Sequence, residues 1–330
     1  MSNRFLDALA QNQTILADGA TGTNLFAMGL QSGDAPEVWN LEKPDNVRAL
    51  HRGFVDAGSN LILTNSFGGN RYRLKLHNWQ DRVHEVNKRA AELAREIAGD
   101  EVIVAGSMGP TGEILEPVGT LSHEDAVAAF AEQAEALAEG GADVLWIETI
   151  SSVEEVRAAV EGCRQTGLPV VGTMSFDTVG KTMMGLSPAD YADLAASMEL
   201  DAFGANCGVG PPDMMLAILE MAGQKTGRPI IAKANCGVPK FEDGEIVYTG
   251  TPEQMANFAA MSRDVGARVV GGCCGTTSEH IARMRAALDS DLSFPATPEP
   301  DAIQTALGDF VNAPSDEPAP TRERRSRRRR

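Results

Sequence analysis

Apolar and polar positions along this chain follow two alternating periods. Short runs rich in Val, Ile and Ala are separated by stretches of about 10 to 18 residues in which apolar side chains recur every three or four positions. The runs predict strands at Thr14–Ala17, Asn60–Thr64, Val102–Gly106, Val144–Glu148, Pro169–Ser175, Ala202–Asn206, Pro229–Asn235 and Arg268–Gly271. Helices are expected after each, near residues 45–57, 80–98, 122–139, 153–165, 188–198, 211–223, 252–265 and 278–288. Ser122 with Asp125, Ser187 before Pro188 and Thr251 before Pro252 supply start signals. Eight βα units in this order predict an α/β fold, a (β/α)8 TIM barrel in preference to a doubly wound sheet. Its site must then be assembled at the C-terminal ends of several strands.

The pattern stops near residue 291, so the barrel is assigned to residues 1–291. Pro295, Pro298 and Pro300 open a C-terminal extension, 292–312, in which Asp301 to Val311 predicts a short amphipathic helix. That helix is expected to dock on the barrel or on a second subunit, which leaves an oligomer open. Residues 313–330 are expected to form a disordered Arg-rich tail.

Charge narrows the functional classes. The net charge is −17, yet seven of the last ten residues are Arg, and the rest of the chain carries 22 basic against 45 acidic residues. A body this acidic disfavours nucleic acid over the folded surface and leaves only the tail for polyanions. No apolar run approaches the about 18 residues of a membrane span, and Asp7 interrupts what a leader peptide would keep apolar, so a cytoplasmic enzyme with no membrane contact is expected. Five cysteines, an odd number in such a chain, point to metal binding or chemistry in preference to a disulfide framework.

The chemistry gathers at predicted strand ends. Strand one runs into Asp18-Gly19-Ala20-Thr21-Gly22-Thr23, strand four into Glu148-Thr149, strand six into Asn206-Cys207-Gly208 and strand eight into Gly271-Gly272-Cys273-Cys274-Gly275. Three cysteines on one rim make an open zinc site, because a catalytic zinc takes three protein ligands and leaves a fourth position for water or substrate. Three thiolates outweigh the zinc charge, so a fourth thiolate stays nucleophilic there. Cys273-Cys274 alone reads equally well as a pair of small buried residues; the flanking glycines and the rim position favour a metal. Asp18 and Glu148, each unremarkable alone, together can hold the ammonium of an amino acid, while the amides of Gly19, Ala20 and Thr21 form an anion nest for its carboxylate. Strand parity leaves one ligand open, since Asn235-Cys236-Gly237 ends strand seven as Asn206-Cys207-Gly208 ends strand six. Gly208-Val209-Gly210 turns more sharply than Gly237-Val238-Pro239, which favours Cys207. Cys163 reads as core, and His51, His77, His84, His123 and His280 show no metal-ligand spacing.

Together with Gly109-Pro110-Thr111-Gly112, these segments resemble the homocysteine S-methyltransferase family. The resemblance implies a zinc-bearing barrel with Cys207, Cys273 and Cys274 as ligands, homocysteine held by Asp18 and Glu148, and methionine as product. Members that use betaine carry an aromatic cage. Here Thr149 stands where they have a tyrosine, and only Trp39 and Tyr72 remain as cage candidates. Thr64-Asn65-Ser66-Phe67-Gly68 is more similar to the homocysteine barrel of cobalamin-dependent methionine synthases. The chain has no room for a corrinoid domain, so the expected donor is a methylcorrinoid on a separate protein, as one part of a split synthase. Betaine is the next choice, then S-methylmethionine or a dimethylsulfonio compound. A non-catalytic zinc or corrinoid-protein docking subunit is the alternative outside enzymes.

Overall fold

The computed structural model describes residues 3–11, 13–242 and 245–312. Eight strands form one parallel sheet: β1 (Ile15–Leu16), β2 (Leu61–Leu63), β3 (Ile103–Met108), β4 (Val144–Ile150), β5 (Val170–Met174), β6 (Ala202–Cys207), β7 (Ile230–Ala234) and β8 (Ala267–Gly272). Their hydrogen-bonded order is β1-β8-β7-β6-β5-β4-β3-β2. A parallel bridge joins Ala17 to Leu61. Beside it the Asn60 backbone N–H donates to Leu16 O at 2.7 Å, and the Asn60 side-chain oxygen accepts from Leu16 N–H at 3.1 Å. The sheet therefore closes on itself between β1 and β2, which removes its edges. The (β/α)8 barrel expected from the sequence is the fold.

Between the strands run α1 (Pro44–Asp56), α2 (Val83–Ala98), α3 (His123–Glu139), α4 (Val153–Arg164), α5 (Pro188–Ser197), α6 (Pro211–Gly223), α7 (Pro252–Val265) and α8 (Ser278–Leu288). The expected caps are in place: Ser122, Ser187 and Thr251 each accept from an N–H of the first turn, Thr251 reciprocally with Gln254.

Side-chain parity sorts the interior. Ile15, Leu61, Ile103, Trp146, Ile231 and Val269 point into the barrel and fill its lower layers. Phe5 joins them from a helix, Arg4–Ala10, that the sequence pattern did not assign. The intervening residues, such as Leu16, Val104, Leu145 and Val270, pack outward against the helices. Continuing the inward alternation up the strands brings Ser107, Glu148, Asn206, Lys233 and Cys273 to the top layer. The same register that makes the core apolar thus delivers a polar floor to the rim.

Two additions flank that rim. A hairpin, Pro239–Glu242 paired with Glu245–Tyr248, is inserted between β7 and α7. Helix Pro300–Leu307 docks on this chain's own barrel, with Ile303 and Leu307 buried, Gln254 donating to Leu307 O and Asn257 to Ala306 O. The backbone N–H groups of Val311 and Asn312 then bond the carboxylate of Asp213 in the first turn of α6. The Arg-rich tail, 313–330, lies outside the described residues. Among the described residues no helix is long and apolar enough to cross a membrane.

Candidate active site

Three thiols meet where β6 and β8 end. The Sγ atoms of Cys207, Cys273 and Cys274 all lie within 4.8 Å of one another, and Cys207 and Cys274 are 3.9 Å apart. Tetrahedral zinc with bonds of about 2.3 Å to sulfur needs ligand sulfurs about 3.8 Å from each other, so these three residues fit that ion. Cys207 reaches the cluster because its backbone leaves the strand at φ 63°, followed by Gly208 at φ 75°. This left-handed step lifts an outward-register residue over the rim. Cys236 makes no such step. Its thiol packs against Gly250, where an added Cβ would come within 2.8 Å of the sulfur, and burial pushes its pKa up to about 12.

Within the thiol cluster, hydrogen bonds from Cys207 and Cys273 pull Cys274 down to about 3, while Cys207 is pushed upward in the exchange. Tyr248, from the hairpin, also hydrogen-bonds Cys274 and lies over Gly275 so closely that any side chain there would strike its ring. Asn235 ties the two thiol loops together: its Oδ1 accepts from Cys274 N–H at 3.0 Å and its Nδ2 donates to Gly208 O at 2.5 Å.

The acids stand beside the thiols. Glu148 accepts from the Ser107 hydroxyl and, at 3.3 Å, from the Asn206 amide, which also bonds Thr149. Burial pushes its carboxyl up to about 7 against the opposing pull of Lys233. Asp18 Oδ2 accepts from Leu63 N–H at 2.8 Å, and Lys233 lies 3.3 Å from Oδ1. Oδ1 is buried and accepts no hydrogen bond. An orphan carboxylate oxygen here fits a donor such as a substrate ammonium. Burial raises the Asp18 pKa, with Lys233 pulling against it.

The anion nest needs correction. Ala20 N–H donates to Thr276 O at 3.1 Å, so its amide is spent on β8's loop and is not offered to a ligand. Gly19 is required by packing instead, since a Cβ there would lie 2.6 Å from Thr276 O.

Gly19, Ser107, Glu148, Lys233 and the three thiols line one cavity of about 440 Å³, which extends past the thiols to Phe26, Glu37, Phe67 and Arg73, while Asp18 is buried and is not among the lining residues. Trp39 and Tyr72 do not line it. Trp39 is core with Lys43 over its ring, and Tyr72 packs against Leu115 and Leu121. Lys233, Tyr248, Glu37 and Arg73 were not singled out from the sequence. The inward register of Ile231 and Lys233 was the one signal available for any of them.

A closed parallel barrel with three convergent thiols and two buried acids at its C-terminal rim has the architecture of an α/β-barrel enzyme, with its candidate site at the C-terminal ends of the strands. The chain belongs to the homocysteine S-methyltransferase family, whose model matches residues 15–288. It is 30% identical over 304 residues to methionine synthase of Mycobacterium tuberculosis and 31% identical over 305 residues to that of Mycobacterium leprae. Each match covers 86% of this chain but 25% of the relative, so the chain spans about a quarter of their length. Among solved structures it resembles the homocysteine methyltransferase MmuM of Escherichia coli, with TM-score 0.72 for an oxidised form and 0.71 for a metallated form. Both are 25% identical, covering 86% and 85% of this chain and 99% of that enzyme.

Two predictions follow from this geometry. After expression with zinc and desalting, Cys207→Ser should hold almost no metal by elemental analysis, whereas Cys236→Ser should keep about one zinc per chain; the opposite pattern would move the third ligand to β7. Glu148 must ionise to hold an ammonium, and its pKa lies above the ordinary carboxylate value, so ligand affinity should rise with pH. Calorimetry with methionine, which has no ionisable thiol, should show binding about tenfold tighter at pH 8 than at pH 6, as expected for a carboxyl titrating near 7. Glu148→Gln should flatten that dependence, and an unchanged slope in the variant would assign the titration elsewhere.

Proposed function

We propose that this chain is a zinc-dependent homocysteine S-methyltransferase that forms methionine in the cytoplasm. The observation that carries this reading is the convergence of Cys207, Cys273 and Cys274 beside the orphan oxygen of Asp18 and the carboxylate of Glu148. Zinc held by the three cysteines supplies Lewis acidity that keeps a substrate thiol ionised at neutral pH. The remaining work belongs to the chain. Glu148, oriented by Ser107 and Asn206, and Asp18, fixed by Leu63 N–H, receive the ammonium. Gly19 and Thr21 remain as the backbone candidates for the carboxylate. With the amino acid fixed, its sulfur faces the open part of the cavity, where a methyl carbon approaches in line. The sulfur–carbon bond forms as the bond to the donor breaks, and the donor leaves with that electron pair. No general base is assigned, because the thiol proton is lost on binding. Positioning the two reactants and excluding water supply the rate advantage.

For the donor we propose a methylcorrinoid on a separate protein, this chain being one part of a split synthase. The support is the match to one quarter of two methionine synthases and the exposure of Phe26, Met28, Ile114, Val118, Met183 and Met184 on the loops after β1, β3 and β5, the face that carries the cavity. Apolar groups clustered on one face suit a macromolecular cover. A second reading, a small onium donor such as betaine, S-methylmethionine or a dimethylsulfonio compound, rests on the far part of the cavity. There Glu37 is buried, accepts from Gly68 N–H at 2.6 Å and makes no ion pair among the described residues, close to Phe26 and Phe67.

A donor panel separates these readings. Zinc-loaded protein with homocysteine should form methionine, read by mass spectrometry, from free methylcobalamin, and more slowly or not at all from betaine, S-methylmethionine or dimethylsulfonioacetate. Turnover with an onium donor alone would establish the second reading. Absence of methionine with every donor would leave a non-catalytic zinc or docking subunit.

A further inference from the structure

Lys233 is the one Lys or Arg buried among the described residues, at 3% exposure. It stands on the inward face of β7 in a protein with many more acids than bases. Burying a lysine is costly unless its charge is compensated and its donors are satisfied. Here the ammonium donates to Gly272 O at 2.6 Å and Gly19 O at 3.1 Å, and faces Asp18 Oδ1 at 3.3 Å. Two of the ammonium's three N–H donors are spent on backbone carbonyls, and the charge is paired with the Asp18 carboxylate. Lys233 is thereby tied to its neighbours and acts through them. Those neighbours are informative: Gly19 follows Asp18 in the substrate half of the site, and Gly272 precedes Cys273 in the thiol half.

We propose that Lys233 is the charge counterweight of this site, a positioning residue that fixes Asp18 and the Gly272–Cys273 backbone and offsets the negative charge added when homocysteine binds as a thiolate. The inference rests on the homocysteine reading above. Asp18 and Glu148, both buried, already stand beside the cysteine cluster, so acidic groups crowd this end of the barrel. A substrate thiolate adds another unit beside them, and the attraction of a nearby buried cation is strongest where water is excluded. Methionine presents the same ammonium and carboxylate without that charge. The two ligands therefore separate a counterweight from a scaffold.

The test is calorimetric binding of homocysteine and of methionine to zinc-loaded parent protein, Lys233→Gln and Lys233→Met. Gln keeps a donor for Gly272 O where Met keeps only the length, so one folded variant suffices. Homocysteine affinity should fall at least tenfold in the variant, and its loss should exceed the methionine loss at least fivefold. In an Asp18→Asn background the effect of Lys233→Gln on methionine should shrink to less than twofold, because the partner through which it acts is gone. Equal losses for both ligands would reduce Lys233 to a structural role, and homocysteine binding within twofold of the parent would overturn the proposal. A parent protein that binds methionine but not homocysteine would refute the homocysteine reading and the counterweight with it. A loss in the variants alone leaves that reading standing.

Discussion

Three thiol sulfurs held within 4.8 Å of one another cannot all ionise unless positive charge is placed among or beside them. The rest of the rim answers to that constraint. Hydrogen bonds from Cys207 and Cys273 lower the Cys274 pKa. A divalent cation among the three sulfurs would supply the compensating charge, and the spacing suits zinc. The neighbouring groups are arranged for the same surplus of negative charge. Lys233 faces Asp18, Tyr248 donates toward Cys274, and Glu148 is held by neutral amide and hydroxyl donors. Burial raises the pKa of its carboxyl to about 7 against the opposing pull of Lys233.

The barrel is what makes such crowding stable. Parallel strands with strict inward and outward alternation turn each strand into a column, apolar below and polar at the top. Ile231 and Lys233 share one column, as do Trp146 and Glu148, or Val269 and Cys273. Polar groups buried at that level are braced by backbone from adjacent strands, as Asn235 braces the loops of β6 and β8. The docked C-terminal helix and the bonds from Val311 and Asn312 to Asp213 add a clamp beside the loop that follows Cys207.

Much of this was legible in the sequence because period and punctuation agree. Alternating β-branched runs and capped amphipathic stretches located eight strands and eight helices, and the ends of those strands named Asp18, Glu148, Cys207, Cys273 and Cys274. Other features lay beyond periodicity. The helix carrying Phe5 spans seven residues and the hairpin strands four each, too short for a pattern to emerge. Lys233 reads as a strand residue in Ile230-Ile231-Ala232-Lys233-Ala234, and its partner comes from the opposite end of the chain. The choice of Cys207 over Cys236 turns on a single left-handed φ, which two nearly identical Asn-Cys-Gly segments do not reveal. Ala20 failed as a nest donor because Thr276, in the loop after β8, claims its amide.

We propose that Cys207, Cys273 and Cys274 hold one zinc with a position left open for the sulfur of homocysteine. Zinc K-edge X-ray absorption on the purified protein, before and after homocysteine is added, tests it directly. Three sulfur ligands and one lighter oxygen or nitrogen ligand are expected at rest, changing to four sulfurs at about 2.3 Å when homocysteine is present. A coordination sphere that homocysteine leaves unchanged would contradict it.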